Sequence, residues 1–118
     1  MPDSPALSST VILVTRDGMG HSDPELQHAL ISKYLGLLVA GNLVPQAICF
    51  YADGVHLVAE GSPVLDPLRA LERRSCRLLV CSTCLDYYAL KDKLRVGTVC
   101  GMPDILNAQI LAAKVVTV

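Results

Sequence analysis

Apolar positions along this chain fall into short uninterrupted runs, separated by longer stretches in which they recur at helical spacing. Thr10-Val11-Ile12-Leu13-Val14-Thr15 is the first run, rich in β-branched residues and free of charge. Gln46 to Tyr51 is the second and Leu78-Leu79-Val80-Cys81 the third. Such runs read as strands buried on both faces, the habit of a parallel sheet. Thr98-Val99-Cys100 and Val115 to Val118 are shorter and bring the set to about five strands.

The intervening stretches carry helix signals. Asp23 stands as N-cap with Pro24 at the first helical position, and Ser22 with Glu25 is an overlapping capping box. The helix they open repeats Leu26, Leu30, Tyr34, Leu37 and Leu38, and Gly41-Asn42 stops it like a C-terminal glycine cap. Ser62-Pro63 opens a second helix over Leu65, Leu68 and Leu71 that ends near Ser75. Ser82 and Thr83 begin a third, with Asp86 three residues after Thr83 in a capping-box-like arrangement, and it runs to about Leu90. Met102-Pro103-Asp104 starts a fourth over Ile105, Leu106, Ile110 and Leu111. Asp53-Gly54 is a turn, and Val55 to Glu60 fits either a short strand or an extended loop. Strands alternating with helices predict an α/β fold, a parallel sheet with helices on both faces. Pro- and Ser-rich residues 1–9 read as a flexible N-terminal tail before one domain over 10–118.

Composition narrows the function classes. The 118 residues suffice for one domain with its own core. That core is aliphatic, because 52% of the residues are hydrophobic but only four Tyr and one Phe are aromatic. A net charge of -1 removes the electrostatic footprint of a nucleic-acid binder. The basic cluster Arg69, Arg73, Arg74 and Arg77 is interrupted by Glu72 and reads as a solvated face. No apolar run reaches membrane-spanning length, and Met1 to Pro5 has no signal-peptide pattern. Five cysteines, an odd number, imply reduced thiols and a cytoplasmic location.

The candidate chemistry centres on Cys84, placed by this reading in the first turn of the third helix. Unpaired amides and the positive end of a helix dipole favour a thiolate there; the alternative is a small buried hydrophobe. In an open α/β sheet the loops after the carboxyl ends of the strands share one edge. The loops Arg16 to Asp23, Ala52 to Ser62 and Ser82 to Cys84 should meet there. Cys84 would face Asp17, Gly18 and His21 on one side and Tyr51, Asp53 and Gly54 on the other. His21 is either a proton partner for the thiol or an exposed loop histidine, and Asp17 and Asp86 are either acid–base groups or loop and capping carboxylates. Thr83, Asp86 and Cys81 are the supporting residues.

Other constellations fail. Cys81-x-x-Cys84 is half of a zinc knuckle without a second pair, His21 and His28 lie seven apart, and neither a full dinucleotide fingerprint nor a P-loop lysine follows Asp17-Gly18-x-Gly20. No metal and no cofactor is expected. Cys81-x-x-Cys84 also fits a thioredoxin-like dithiol, although Cys81 ends a buried strand.

Thr15-Arg-Asp-Gly-Met-Gly20, Ala47 to Val55, Glu60-Gly-Ser-Pro-Val-Leu65 and above all Thr83-Cys-Leu-Asp-Tyr-Tyr88 resemble the DsrE/DsrF-like domain. Within it they look most like the YedF-type sulfurtransferase-like proteins linked to selenium metabolism. The resemblance spans nearly all of residues 10–118. It implies a Rossmann-like three-layer α/β/α sandwich, commonly a homo-oligomer (dimer or trimer), in which a cysteine at the position of Cys84 carries sulfane sulfur as a persulfide. Sulfur donor and acceptor proteins would be the partners. Ser82 stands where related sequences usually have glycine, and nothing here matches the TusA-like domain that commonly precedes YedF-type domains. The readings carried forward are a persulfide carrier or sulfurtransferase on Cys84, a non-catalytic oligomeric binding module, and a dithiol oxidoreductase using Cys81 and Cys84.

Overall fold

A computed structural model describes residues 5–118, with side chains from Leu7 onward. Strands β1 (Thr10–Val14), β2 (Ala47–Phe50), β3 (Arg77–Cys81), β4 (Thr98–Cys100) and β5 (Lys114–Thr117) alternate with helices α1 (Pro24–Ala40), α2 (Leu65–Arg73), α3 (Ser82–Tyr87) and α4 (Met102–Leu111). The five strands form one sheet in the order β4-β3-β2-β1-β5, every neighbouring pair parallel. The three apolar runs are its centre: all of β1 and β2 is buried, and β3 is buried after Arg77. The short β4 and β5 are the exposed edges.

Strand residues divide between two faces with the period of two that a pleated strand imposes. Ile12, Val14, Ile48, Phe50, Leu78 and Val80 pack with Ile31, Leu35 and Leu38 of α1, Leu68 and Leu71 of α2 and Leu85 of α3. Val11, Leu13, Ala47, Cys49, Leu79 and Cys81 pack with Ile105 and Ala108 of α4. The steps β1 to β2 to β3 to β4 run one way across the sheet, so right-handed crossovers place their helices on one face. The return from β4 to β5 lays α4 across the other. The result is the expected α/β/α sandwich, with a single helix as its thinner layer.

Several local expectations are corrected. In α1 the buried residues are Ile31, Leu35 and Leu38, whereas Leu26, Leu30 and Leu37 are exposed. The spacing selected the stripe only in part, with Leu38 buried and Tyr34 packed against the core as expected, because α1 is apolar on two sides. Asp23 is its N-cap residue with Pro24 at the helix start, but no side-chain capping bond forms. At its end the left-handed residue is Asn42 (φ 52°), not Gly41 (φ -88°). Leu43 N–H bonds the Leu38 carbonyl and Asn42 N–H the Val39 carbonyl, which is a Schellman motif. The second helix begins at Leu65 rather than Ser62, and the stretch from Val55 to Glu60, left open between strand and loop, falls largely in a 3-10 segment, Ala52–Val58. Residues 1–4 of the expected tail lie outside the described residues. Pro5–Ser9 forms a 3-10 turn tied to the domain by Gln46 N–H on the Leu7 carbonyl and Ala113 N–H on the Ser9 carbonyl. No described helix is long and apolar enough to cross a membrane.

Candidate functional site: Cys84 and the loop after β2

Chain direction brings the site together. β3 ends at Cys81 and the next residue is already helical, so no loop separates the buried strand from α3. Cys81, not Thr83, is the N-cap residue, with extended backbone (φ -64°, ψ 118°) and no side-chain capping bond. The expected capping box between Thr83 and Asp86 is therefore absent. Thr83 is exposed, and Asp86 is in the last turn, where its carboxylate pairs with Lys91 Nζ at 3.0 Å. Cys84 is the third helical residue. Its half-buried thiol packs against both apolar clusters, at the end of β3.

The loop after β2 supplies its polar partner. Ala52 N–H donates to Cys84 Sγ at 3.1 Å. Ala52 takes a left-handed conformation (φ 51°), which L-residues with a Cβ adopt at a cost. The neighbours hold it there. Gly54 lies so close to the end of β1 that a Cβ on it would fall 2.1 Å from the Val14 carbonyl oxygen. Tyr51 N–H bonds that same carbonyl at 3.2 Å, and Gly54 N–H bonds the Tyr51 carbonyl at 3.0 Å. Tyr51 is half-buried and packs against the same apolar cluster on the α4 side as Cys84 and Cys100. Asp53 accepts a hydrogen bond from the Tyr88 hydroxyl, and His56 Nδ1 donates to the Asp53 carbonyl at 2.9 Å. The ring of His56 meets Tyr88 edge-on with centroids 4.4 Å apart, and Tyr87 meets it at 5.0 Å.

The electrostatics run against the simple dipole expectation. Burial pushes the Cys84 thiol above its ordinary value, and the hydrogen bond with Cys81 adds to the rise; the Ala52 amide opposes both. A helix of six residues has a small dipole, and removing a thiolate from water outweighs it. The hydrogen bond to Asp53, aided by desolvation, raises the Tyr88 phenol to about 12, so at neutral pH it is a neutral donor.

The loop after β1 engages elsewhere. Asp17 accepts a hydrogen bond from His28 Nε2 of α1 at 3.0 Å, and Gly18, at φ 137°, lies where a Cβ would meet Gln27 at 2.5 Å. His21 is exposed, in keeping with the blander of its two readings. Asp17 and His28 line a cleft of about 180 Å³ with His56, Glu60, Ser62 and Leu90. The site thus unites Cys84, Cys81, Tyr51, Asp53 and Gly54, while Asp17 bonds to His28 and Gly18 packs closely on Gln27, both on α1. Sequence reasoning missed the Ala52 amide, Tyr88, His56 and His28. Tyr88 had a visible signal, an aromatic one helical turn after Cys84. Ala52 had none, because a backbone amide carries no residue signature. Among the described residues no group of three or more His, Cys, Asp or Glu side chains is placed to hold a metal ion.

Solved structures share this architecture. The ychN protein from E. coli superposes with a TM-score of 0.67 at 18% identity, covering 93% of this chain and 99% of its own. Protein MTH1491 from Methanobacterium thermoautotrophicum, described as of unknown function, gives 0.66 at 18% identity, with 92% and 97% covered. BT1422 from Bacteroides thetaiotaomicron, a conserved protein of unknown function, gives 0.61 at 11% identity, with 98% and 99% covered. At such identities the likeness concerns the fold alone. No curated protein matches the chain. A family model does match, over residues 10–118, and by that match the chain belongs to the DsrE/DsrF-like family.

Proposed function

We propose that Cys84 is the acceptor of a sulfane sulfur atom in a sulfur relay. The observation that carries this is the amide of Ala52 aimed at Cys84 Sγ, a donor that favours sulfur bearing negative charge. Family membership points to the same sulfur-relay chemistry. In the proposed step the Cys84 thiolate attacks the terminal sulfur of a donor persulfide. A sulfur–sulfur bond forms on Cys84, and the donor's own sulfur leaves with the electron pair of the broken bond. The product, Cys84 persulfide, then hands its outer sulfur to an acceptor thiol by the same displacement. Selenium as cargo, the YedF-type reading, would use the same atom.

Incubation with a small-molecule persulfide should add about 32 Da, one sulfur atom, to the peptide holding Cys84 and to no peptide of a Cys84→Ser variant. An unmodified Cys84 under conditions that load a free thiol would overturn the proposal. One observation favours the non-catalytic binding module instead: the thiol is pushed up rather than down. The homo-oligomer, dimer or trimer, belongs to the same proposal. Leu26, Leu30 and Leu37 on α1 and Leu106, Ile110 and Leu111 on α4 are exposed apolar surface that it would cover. Sedimentation equilibrium should return a multiple of the 12.6 kDa chain mass; a monomer mass would count against it.

A further inference from the structure

Cys81 is a nucleophile that the relay does not use. It is 1% exposed, packed among Val11, Leu13, Cys49 and Ile105 beneath α4. Its thiol lies near enough to Cys84 to help hold the Cys84 proton in place. On β4 the register partner of Cys81 is Cys100, itself half-buried on the same face. Residues three apart across a helical turn have Cβ atoms about 5–6 Å apart, wider than the roughly 3.5–4.5 Å of a disulfide, so joining the N-cap residue Cys81 to Cys84 requires the first turn of α3 to tighten. A thiol sealed on every other side reacts with whatever Cys84 carries and with little else.

We infer that Cys81 is a resolving thiol that ejects the sulfur loaded on Cys84 as hydrogen sulfide, leaving a Cys81–Cys84 disulfide. This deepens the relay reading and rests on it for its physiological cargo. The Cys81 thiolate attacks the inner sulfur, Cys84 Sγ. The bond between the two cysteine sulfurs forms, the bond to the outer sulfur breaks, and the outer sulfur leaves with the electron pair as hydrosulfide. The two cysteine sulfurs end as a disulfide, the sulfane sulfur is reduced to sulfide, and the proton of Cys81 goes to the leaving group or to water. The electrons come from the cysteine pair, so no outside oxidant is required. The site then either passes its sulfur to an acceptor promptly or discharges it, and an external thiol resets the pair.

Two measurements on the full chain test this, both in a Cys100→Ser background so that the neighbouring thiol does not contribute. In the first, anaerobic protein is loaded with a small-molecule persulfide, freed of excess reagent and followed by mass spectrometry and sulfide assay. The gain of about 32 Da should give way to a loss of about 2 Da as one equivalent of sulfide appears. With Cys81→Ala the gain should persist, with sulfide release at least about tenfold slower, since the intramolecular attack is lost. In the second, the Cys84 thiol is titrated with 5,5′-dithiobis(2-nitrobenzoate). A second thionitrobenzoate should leave without further reagent, and only a first should leave from Cys81→Ala.

Equal sulfide release from the two proteins, or migration of the added sulfur onto Cys81 without a disulfide, would overturn the inference. Failure to load Cys84 at all would sink the relay, yet the second measurement would still decide whether Cys81 resolves. Circular dichroism matched between the Cys81→Ala and parent proteins guards against misfolding. Were that variant unfolded, a Cys81–Cys84 disulfide found by peptide mapping of the parent after the reagent would carry the inference, and its absence would refute it.

Discussion

The amide of Ala52 and the thiol of Cys84 set the chemistry at the scale of single residues. Nucleophilic attack needs thiolate, and here burial and Cys81 hold the proton on while one N–H works to release it. Alkylation of Cys84 by iodoacetamide should therefore be slower at neutral pH than that of a free thiol. Its rate should climb through a midpoint above the ordinary thiol range; a midpoint below that range would contradict the structure. The place of Cys84 in the fold was readable in the sequence, because a polar, capping-type stretch directly after an apolar run marks a strand-to-helix junction. The direction of its shift was not. It is set by the burial of the thiol and by Cys81, against the amide of Ala52, which lies 32 residues earlier and takes a left-handed backbone beside the close packing of Gly54 on β1.

Among the elements, helix ends follow a common device. α1, α2 and α3 all close in Schellman motifs, with Asn42, Ser75 and Ala89 left-handed and with Leu43, Cys76 and Leu90 bonded back to Leu38, Leu71 and Leu85. Each back-bonded pair is apolar, so the fold closes these helices by burying the residue after the turn, without glycine at the turn itself. Helix faces were harder to foresee. α2 has one apolar stripe and was read correctly, while α1 has two and was read only at Tyr34 and Leu38. The corrected face makes a clear expectation. Leu35→Ala should cost roughly 2–5 kcal/mol by leaving a cavity under α1, and Leu37→Ala, which opens no cavity within the chain, should stay within about 0.5 kcal/mol, both read from urea unfolding midpoints at concentrations that keep the chain monomeric. The reverse ranking would restore the original stripe.

For the whole molecule, the parallel sheet was legible because its central strands are unbroken apolar runs. The strand order and the one-helix layer were not, since edge strands of three or four residues carry little pattern. Packing this dense leaves its thiols sensitive to alkali. Burial pushes Cys76 up to about 12, helped by Glu72, and Cys49 to about 11, helped by Cys100. The folded chain keeps protons that the unfolded chain gives up, so stability is full below the ordinary thiol pKa. It falls as pH rises toward these values, at up to about 1.4 kcal/mol per pH unit for each thiol. Urea unfolding at pH 8 and pH 10 should show this loss, and Cys76→Ala should reduce it; a stability that rises over this range would contradict the burial.

The lone helix over the second face of the sheet has a consequence for when the sulfur atoms inside become reachable. The buried residues that anchor α4 there are Ile105 and Ala108, and Gly101 and Ala112 cap its two ends. Its detachment leaves the opposite layer intact and bares Cys49, Cys81 and Cys100 in one event. Local opening of that ten-residue helix, rather than global unfolding, is the smallest event that would expose the sealed Cys49 and Cys81 to an oxidant, whereas the half-buried Cys100 is partly open before it.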